Sequence, residues 1–191
     1  MLQSKLKKAA QAILKNHSLL ICSGSGFTAD CQLDGESPSY EGHHVPVFRG
    51  TRGLWREHPA LRNQMVTFDN LQEHSFFTDN PHKYWFVYGD LFEKLQRAEP
   101  HQGYTDLANL IKLSGKKDKH FVYHDGVDKL YQESGRFDVN KLVQAKGSVM
   151  DWQCKKCSLL LEDVADNGDS RSFDFGLDRI NGLAQGVPTC H

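Results

Sequence analysis

The sequence predicts an α/β fold built on a parallel sheet, and three observations carry that prediction. Short apolar runs fall at 18–22 ("SLLIC"), 120–125 ("HFVYHD") and 141–145 ("KLVQA"), with the length and composition of buried strands. Long segments with helical periodicity separate them, an order of elements that favours parallel crossovers. The first strand runs directly into Gly24-Ser25-Gly26, so a glycine-rich turn sits at a strand's C-terminal end, where open α/β sheets bind ligands.

The elements follow in order. Residues 2–15 predict a surface helix, because Leu2, Leu6, Ala9, Ala10, Ile13 and Leu14 recur every three or four positions and Asn16-His17 stops them. Lysines interrupt the apolar residues, which argues against a secretory signal. Residues 34–53 are rich in Gly, Ser and Pro and read as a long ordered loop, a length that goes with function or motion. Helices are predicted over 70–78 and 80–97, the second opening on Asn80 as N-cap with Pro81 at the first helical position. Its Tyr84, Trp85, Tyr88, Leu91, Phe92 and Leu95 form one apolar stripe, read as core. A helix over 104–113 comes next, then the strand 120–125 and a short helix closed by Gly135 at its C′ position. After the strand 141–145, residues 146–164 read as an extended hairpin carrying a cysteine knuckle. The polar, Gly-rich stretch 166–182 reads as an insertion.

Composition narrows the function. The 23 basic and 24 acidic residues leave a net charge of −1, so no nucleic-acid or anionic-membrane partner is expected. The longest apolar runs, such as "LLIC" and "YWFVY", are too short to span a bilayer. Five cysteines, an odd number with one Cys-x-x-Cys, do not make a secreted disulfide framework, and an intracellular protein is expected.

Three constellations carry chemistry. A strand running into Gly24-Ser25-Gly26 lets backbone amides approach an anion, with the following helix adding its dipole. Ala29 stands where a third glycine would complete G-x-G-x-x-G, and no acid about twenty residues on is placed to hold a ribose. The turn therefore leaves two readings open, a phosphate cradle or a tight connection without a ligand. Arg49, in the loop segment "VPVFRGTRGLW", is either a bidentate phosphate partner or a solvated loop residue. Cys154 and Cys157 make half of a tetrahedral zinc site, and Cys190 supplies a third thiol.

Taken in this order, these motifs resemble the sirtuins, the NAD-dependent protein lysine deacylases. Gly24-Ser25-Gly26-Phe27-Thr28 is similar to the family's Gly-Ala-Gly-x-Ser, and Pro46-Val47-Phe48-Arg49-Gly50 with Gly53-Leu54-Trp55 is similar to its Pro-Asp-Phe-Arg-Gly and Gly-Leu-Trp. The stretch "PHQGY" (100–104) echoes a Pro-Asn-x-x-His helix start without the Asn or the His. Phe121-Val122-Tyr123-His124-Asp125-Gly126 takes the place of Thr-Gln-Asn-Ile-Asp-Gly, and Lys146-Gly147 that of the His-Gly before the zinc ribbon. The resemblance covers roughly residues 18–191.

The resemblance implies a partial Rossmann-like parallel sheet with a small zinc-ribbon module. It divides the chain into an N-terminal helix (1–17), a dinucleotide-binding portion (18–150, cofactor loop about 27–55) and an incomplete ribbon (151–191). NAD or ADP-ribose is expected against Gly24, Ser25, Gly26, Thr28, Phe48, Arg49 and Asp125. Zinc is expected on Cys154, Cys157 and Cys190, with the fourth ligand and the remaining strands beyond residue 191. An acylated protein is the implied substrate, and a protein partner is the implied cover for an unfinished sheet edge.

The departures bear on activity. In the family the acyl oxygen attacks the ribose carbon that nicotinamide leaves, and a His deprotonates a ribose hydroxyl. Lys146 stands at that His, Tyr123 at the Asn that orients water and nicotinamide, and Val47 at the loop Asp. A general base needs a pKa near the working pH. A lysine ordinarily titrates near about 10.4, so about one in 2,500 is neutral at pH 7, a penalty of about 4.6 kcal/mol. Impaired or lost deacylation is the expectation, with dinucleotide binding retained. The alternatives are a non-catalytic interaction module, in which the cysteine ribbon serves a partner, and a truncated product.

Overall fold

The computed structural model describes residues 2–33, 45, 58–158, 160–161 and 173–189. In chain order the first half contains α1 (Leu2–Lys15), β1 (Leu19–Ser23), α2 (Ser25–Thr28), β2 (Gln32–Leu33), α3 (Pro59–Asn63), α4 (Phe68–Gln72) and α5 (His74–Asp79). Next come α6 (Pro81–Leu95), β3 (Ala98–Glu99), α7 (Gln102–Leu113), β4 (His120–His124), α8 (Leu130–Glu133) and β5 (Leu142–Gln144). Two hairpins follow, of β6 (Trp152–Gln153) with β7 (Leu160–Leu161) and of β8 (Leu177–Asp178) with β9 (Leu183–Ala184). The chain forms two compact units, one from residues 1–28 and 100–146, the other from 29–99 and 147–191.

The first unit holds the expected parallel sheet, in the order β1-β4-β5. β1 runs beside β4 from Leu19↔His120 to Ser23↔His124, and β4 beside β5 from Val122↔Leu142 to His124↔Gln144. Side chains alternate across β4: Val122 and His124 are buried, whereas Phe121 and Tyr123 are 40% and 42% exposed. Leu20 and Val143, cross-strand neighbours of these two, are exposed as well, so one face of the sheet presents apolar side chains to solvent. α1 forms where its periodicity predicts, with no buried residue. Gly135 lies just past α8 at φ +61°, the left-handed cap that a glycine there predicts.

The second unit is organised around α6. Pro81 opens the helix as predicted, but the Asn80 side chain makes no capping hydrogen bond. Leu91, Phe92 and Leu95 of the predicted stripe are buried, yet Phe86 and Val87, outside it, are buried completely. The stripe itself packs against Phe175. The stretch 166–182 read as a polar insertion, but Phe175 is fully buried, stacked on Trp85 with ring centres 5.7 Å apart and edge-on to Phe92 at 5.9 Å. Gly89 permits that approach, since a Cβ there would lie 2.7 Å from the Phe175 ring. A single helix was expected over 70–78. α4 begins earlier, because Thr67 and Asn70 cap each other reciprocally, and extended backbone at Glu73 (φ −81°, ψ 127°) separates it from α5. α3 and the antiparallel pair β2–β3 carried no sequence signal strong enough to predict.

One carboxylate ties this unit together. Asp90, fully buried on α6, accepts from His58 Nε2 at 2.8 Å, Lys94 Nζ at 2.9 Å and Arg179 Nη1 at 2.7 Å. Burial raises the Asp90 pKa, but hydrogen bonds and charge from His58 and Lys94 outweigh it and hold the group far below the carboxylate range.

Candidate functional site

The glycine-rich turn lies at the C-terminal ends of β1 and β4. The register pairs Ser23 with His124, so Gly24 and Asp125 leave the sheet side by side, and the Asp125 N–H donates to the Ser23 carbonyl at 2.8 Å. The chain reverses within three residues, Phe27 N–H donating to Gly24 O at 2.8 Å. α2 is a single turn, so the expected contribution from a helix dipole is small, and anion binding here would rest on the turn's own amides. Gly26 is informative. Its backbone does not occupy the left-handed region, and among the described residues nothing lies within 4 Å of where a Cβ would sit. No described neighbour requires a glycine there, and its lack of a side chain leaves open space beside the turn among the described residues.

Beneath the turn runs a buried polar chain that the sequence reading did not identify. Asp128 Oδ2 accepts from Thr28 Oγ1 at 2.6 Å and from His124 Nε2 at 2.9 Å, while Oδ1 accepts from the Leu130 N–H at 3.1 Å. With Nε2–H committed to Asp128, His124 Nδ1 accepts from the Ser23 hydroxyl at 3.0 Å, and Ser23 Oγ accepts from Tyr131 O–H at 2.9 Å. Thr28, His124 and Asp128 are all nearly inaccessible to solvent. Burial raises the Asp128 pKa, but the His124 hydrogen bond and charge, with the Thr28 and Leu130 donors, outweigh it and hold the carboxyl below its usual range. Burial raises the Tyr131 pKa. Phe27, leaving the turn, packs edge-on to His101 at 4.7 Å and against Tyr104 at 4.8 Å. His101 Nε2 donates to the Phe27 carbonyl at 2.8 Å and its Nδ1 caps α7 by accepting from Gly103 N–H, which fixes its tautomer.

The residues singled out in the sequence divide among several places. Gly24, Ser25, Gly26, Thr28 and Asp125 converge at the strand ends, but the Thr28 hydroxyl proton is committed to Asp128 and is not available to a phosphate. Lys146, two residues past β5, reaches the same edge and donates from Nζ to Asp125 Oδ2 at 3.1 Å, a half-exposed ion pair. Tyr123 stands on the exposed sheet face, paired with Cys22 and Val143. Phe48, Arg49 and Cys190 lie outside the described residues. Cys154 and Cys157 sit on the knuckle between β6 and β7, where Ser158 N–H donates to the Cys154 carbonyl at 2.8 Å. Among the described residues no group of three or more His, Cys, Asp or Glu side chains is arranged to hold a metal ion. The only sequence signal for the buried chain was the His-x-x-x-Asp spacing within "HDGVD".

This geometry has relatives. The chain is 29% identical over 159 residues to an NAD-dependent protein deacylase of Daphnia pulex, covering 82% of this chain and 50% of that protein. It is 26% identical over 170 residues to an NAD-dependent protein deacylase of Thermococcus kodakarensis, covering 89% of this chain and 55% of the relative. The chain thus spans about half the length of the curated relatives it matches. Among solved structures, a Sir2 homologue mutant in complex with ADP-ribose superposes with a TM-score of 0.59 at 23% identity, covering 81% of this chain and 52% of that one. A Sir2 mutant with deacetylated p53 peptide and 3'-O-acetyl ADP-ribose gives 0.57 at 18% identity, covering 82% of this chain and 52% of that one. Both likenesses show the fold, an α/β arrangement with a partial Rossmann-like sheet. The Sir2 family model matches residues 41–172, well over half of the chain, and the chain belongs to the Sir2 family.

Proposed function

We propose that the chain is a divergent NAD-dependent deacylase homologue that keeps a dinucleotide-binding turn and has lost efficient deacylation. The observation that carries the second part is Lys146, which occupies the position of the family's His. As an ammonium donating to Asp125 it presents donors and no acceptor, the opposite of what a base needs. Bound NAD would supply a ribose carbon from which nicotinamide departs. The chain would contribute the amides of Gly24–Gly26 and the open space at Gly26 for the diphosphate, while Tyr123 offers a phenol where the family has an amide. A general base contributes about 10²–10⁴-fold to such a reaction.

Mass spectrometry of an acetylated peptide incubated with the chain and NAD is therefore expected to show trace product at most. Calorimetry is expected to show ADP-ribose binding at least as tightly as NAD, because the nicotinamide half has lost its partners. Robust deacetylation with release of nicotinamide would overturn the proposal, as would NAD binding much tighter than ADP-ribose. A second reading, a non-catalytic interaction protein, draws on the exposed apolar face formed by Leu20, Phe121, Tyr123 and Val143. A thermal shift with neither NAD nor ADP-ribose would favour it.

Zinc is part of the proposal, with Cys154, Cys157 and Cys190 as thiol ligands of the kind that hold structural zinc. Zinc measured by mass spectrometry is expected to accompany the purified chain and to fall in Cys154→Ser. Equal zinc in the two proteins would contradict this.

A further inference from the structure

We infer that Asp128 is a positioning residue for the dinucleotide turn, holding both of its flanks from below. This inference rests on the dinucleotide-binding reading above. The turn has little to hold itself with: Gly24 and Gly26 carry no side chains, and glycine has the most backbone freedom to lose. Its flanks are tied instead. Thr28, on the C-terminal side, donates directly to Asp128 Oδ2, and Ser23, on the N-terminal side, is bound to the same oxygen through the His124 ring. Tyr131 closes the far end by donating to Ser23, and the Leu130 amide fixes the other carboxylate oxygen. Gln144 of β5 donates to the Asp128 carbonyl, so the backbone of the clamp is anchored as well.

The hydrogens run one way along the chain, Tyr131 to Ser23 to His124 to Asp128, with Thr28 joining at the end. Each of these donors therefore has an acceptor, and the arrangement specifies one geometry. That matters for an anion cradled by backbone amides, because amides fixed before binding avoid the ordering cost at the moment of binding. The pair His124–Asp128 belongs to this chain's own sequence, since His124 stands where the family motif carries an Ile.

The test uses the full chain with Thr28→Val, Thr28→Ser and Tyr131→Phe. Amide hydrogen exchange without ligand is expected to accelerate about tenfold at Gly24–Thr28 in Thr28→Val, in line with loss of a hydrogen bond to a charged acceptor. Thr28→Ser, which keeps the hydroxyl, should exchange like the parent, and Tyr131→Phe should accelerate the Ser23 side by less. Calorimetry with ADP-ribose, at a temperature where circular dichroism shows each variant fully folded, should give a Kd about tenfold weaker for Thr28→Val and restored in Thr28→Ser. A purely structural role would lower thermal stability but leave the Kd of the folded variant unchanged, and that result would overturn the inference. So would exchange that rises evenly over β1 and β4 rather than at the turn, which Tyr131→Phe reports even if Thr28→Val does not fold. Absence of ADP-ribose binding by the unmodified chain would overturn the functional reading itself, and with it any role of Asp128 toward a dinucleotide.

Discussion

Asp90→Asn is expected to destabilise the second unit by about 3–5 kcal/mol, the cost of breaking a buried ion cluster from one side. The substitution preserves shape and removes charge, leaving His58 and Lys94, both almost fully buried, facing an amide. Arg179 is different, because its side chain is 54% exposed and water can replace its partner. Arg179→Ala should therefore cost less than about 1 kcal/mol. Against a typical total stability of about 5–15 kcal/mol, the first change brings the unit near unfolding and the second does not. Tryptophan fluorescence under urea reads this unit, since Trp85 and Trp152 belong to it. Similar urea midpoints for the two variants would contradict the argument. The pH dependence has a definite sign. Asp90 is held below its ordinary range, so its contribution is complete above the unfolded value of about 3.9 and is lost as pH falls toward the folded value. The parent should lose stability below about pH 4, and that slope should be shallower in Asp90→Asn.

What could be read from the sequence was local, and what could not was a matter of contacts between distant segments. β1 and its turn were legible because an apolar run and three small residues specify them without help from elsewhere. The knuckle between β6 and β7 was legible for the same reason. Phe175 was not, because its burial depends on the missing side chain at Gly89, and the polar residues around it resemble a solvated loop. The candidate site was half legible. Motif positions located Gly24, Gly26, Asp125 and Lys146, but not that Thr28 points down to Asp128, nor that Asp125 and Lys146 pair. These facts come from the register Ser23↔His124↔Gln144, which sets three strand ends level and brings residues about a hundred positions apart into hydrogen-bond range. Tyr123 and His124 illustrate the same limit. They are adjacent in sequence, yet alternation sends one to the exposed face and the other into the polar chain.

Gly126→Ala is the corresponding test of the first unit, and it is expected to cost about 3–5 kcal/mol. A Cβ at Gly126 would overlap the His124 ring and lie 2.6 Å from Asp128 Oδ2, closer than real side chains approach. The glycine is not there for its backbone angles, since its φ lies outside the left-handed region. It is there because the imidazole and the carboxylate close over it. Either partner must withdraw to admit a methyl, and withdrawal leaves a buried His and a buried carboxylate with unmade hydrogen bonds. The cost should therefore depend on His124. In a His124→Val background the space opens and the pair is already broken, so adding Gly126→Ala should cost less than about 1 kcal/mol, a strongly non-additive cycle. Hydrogen exchange at Val122, central and fully buried in β4, reads the stability of this sheet. Equal effects of Gly126→Ala in the two backgrounds would show that the glycine serves the backbone and that the His124–Asp128 pair does not dictate it.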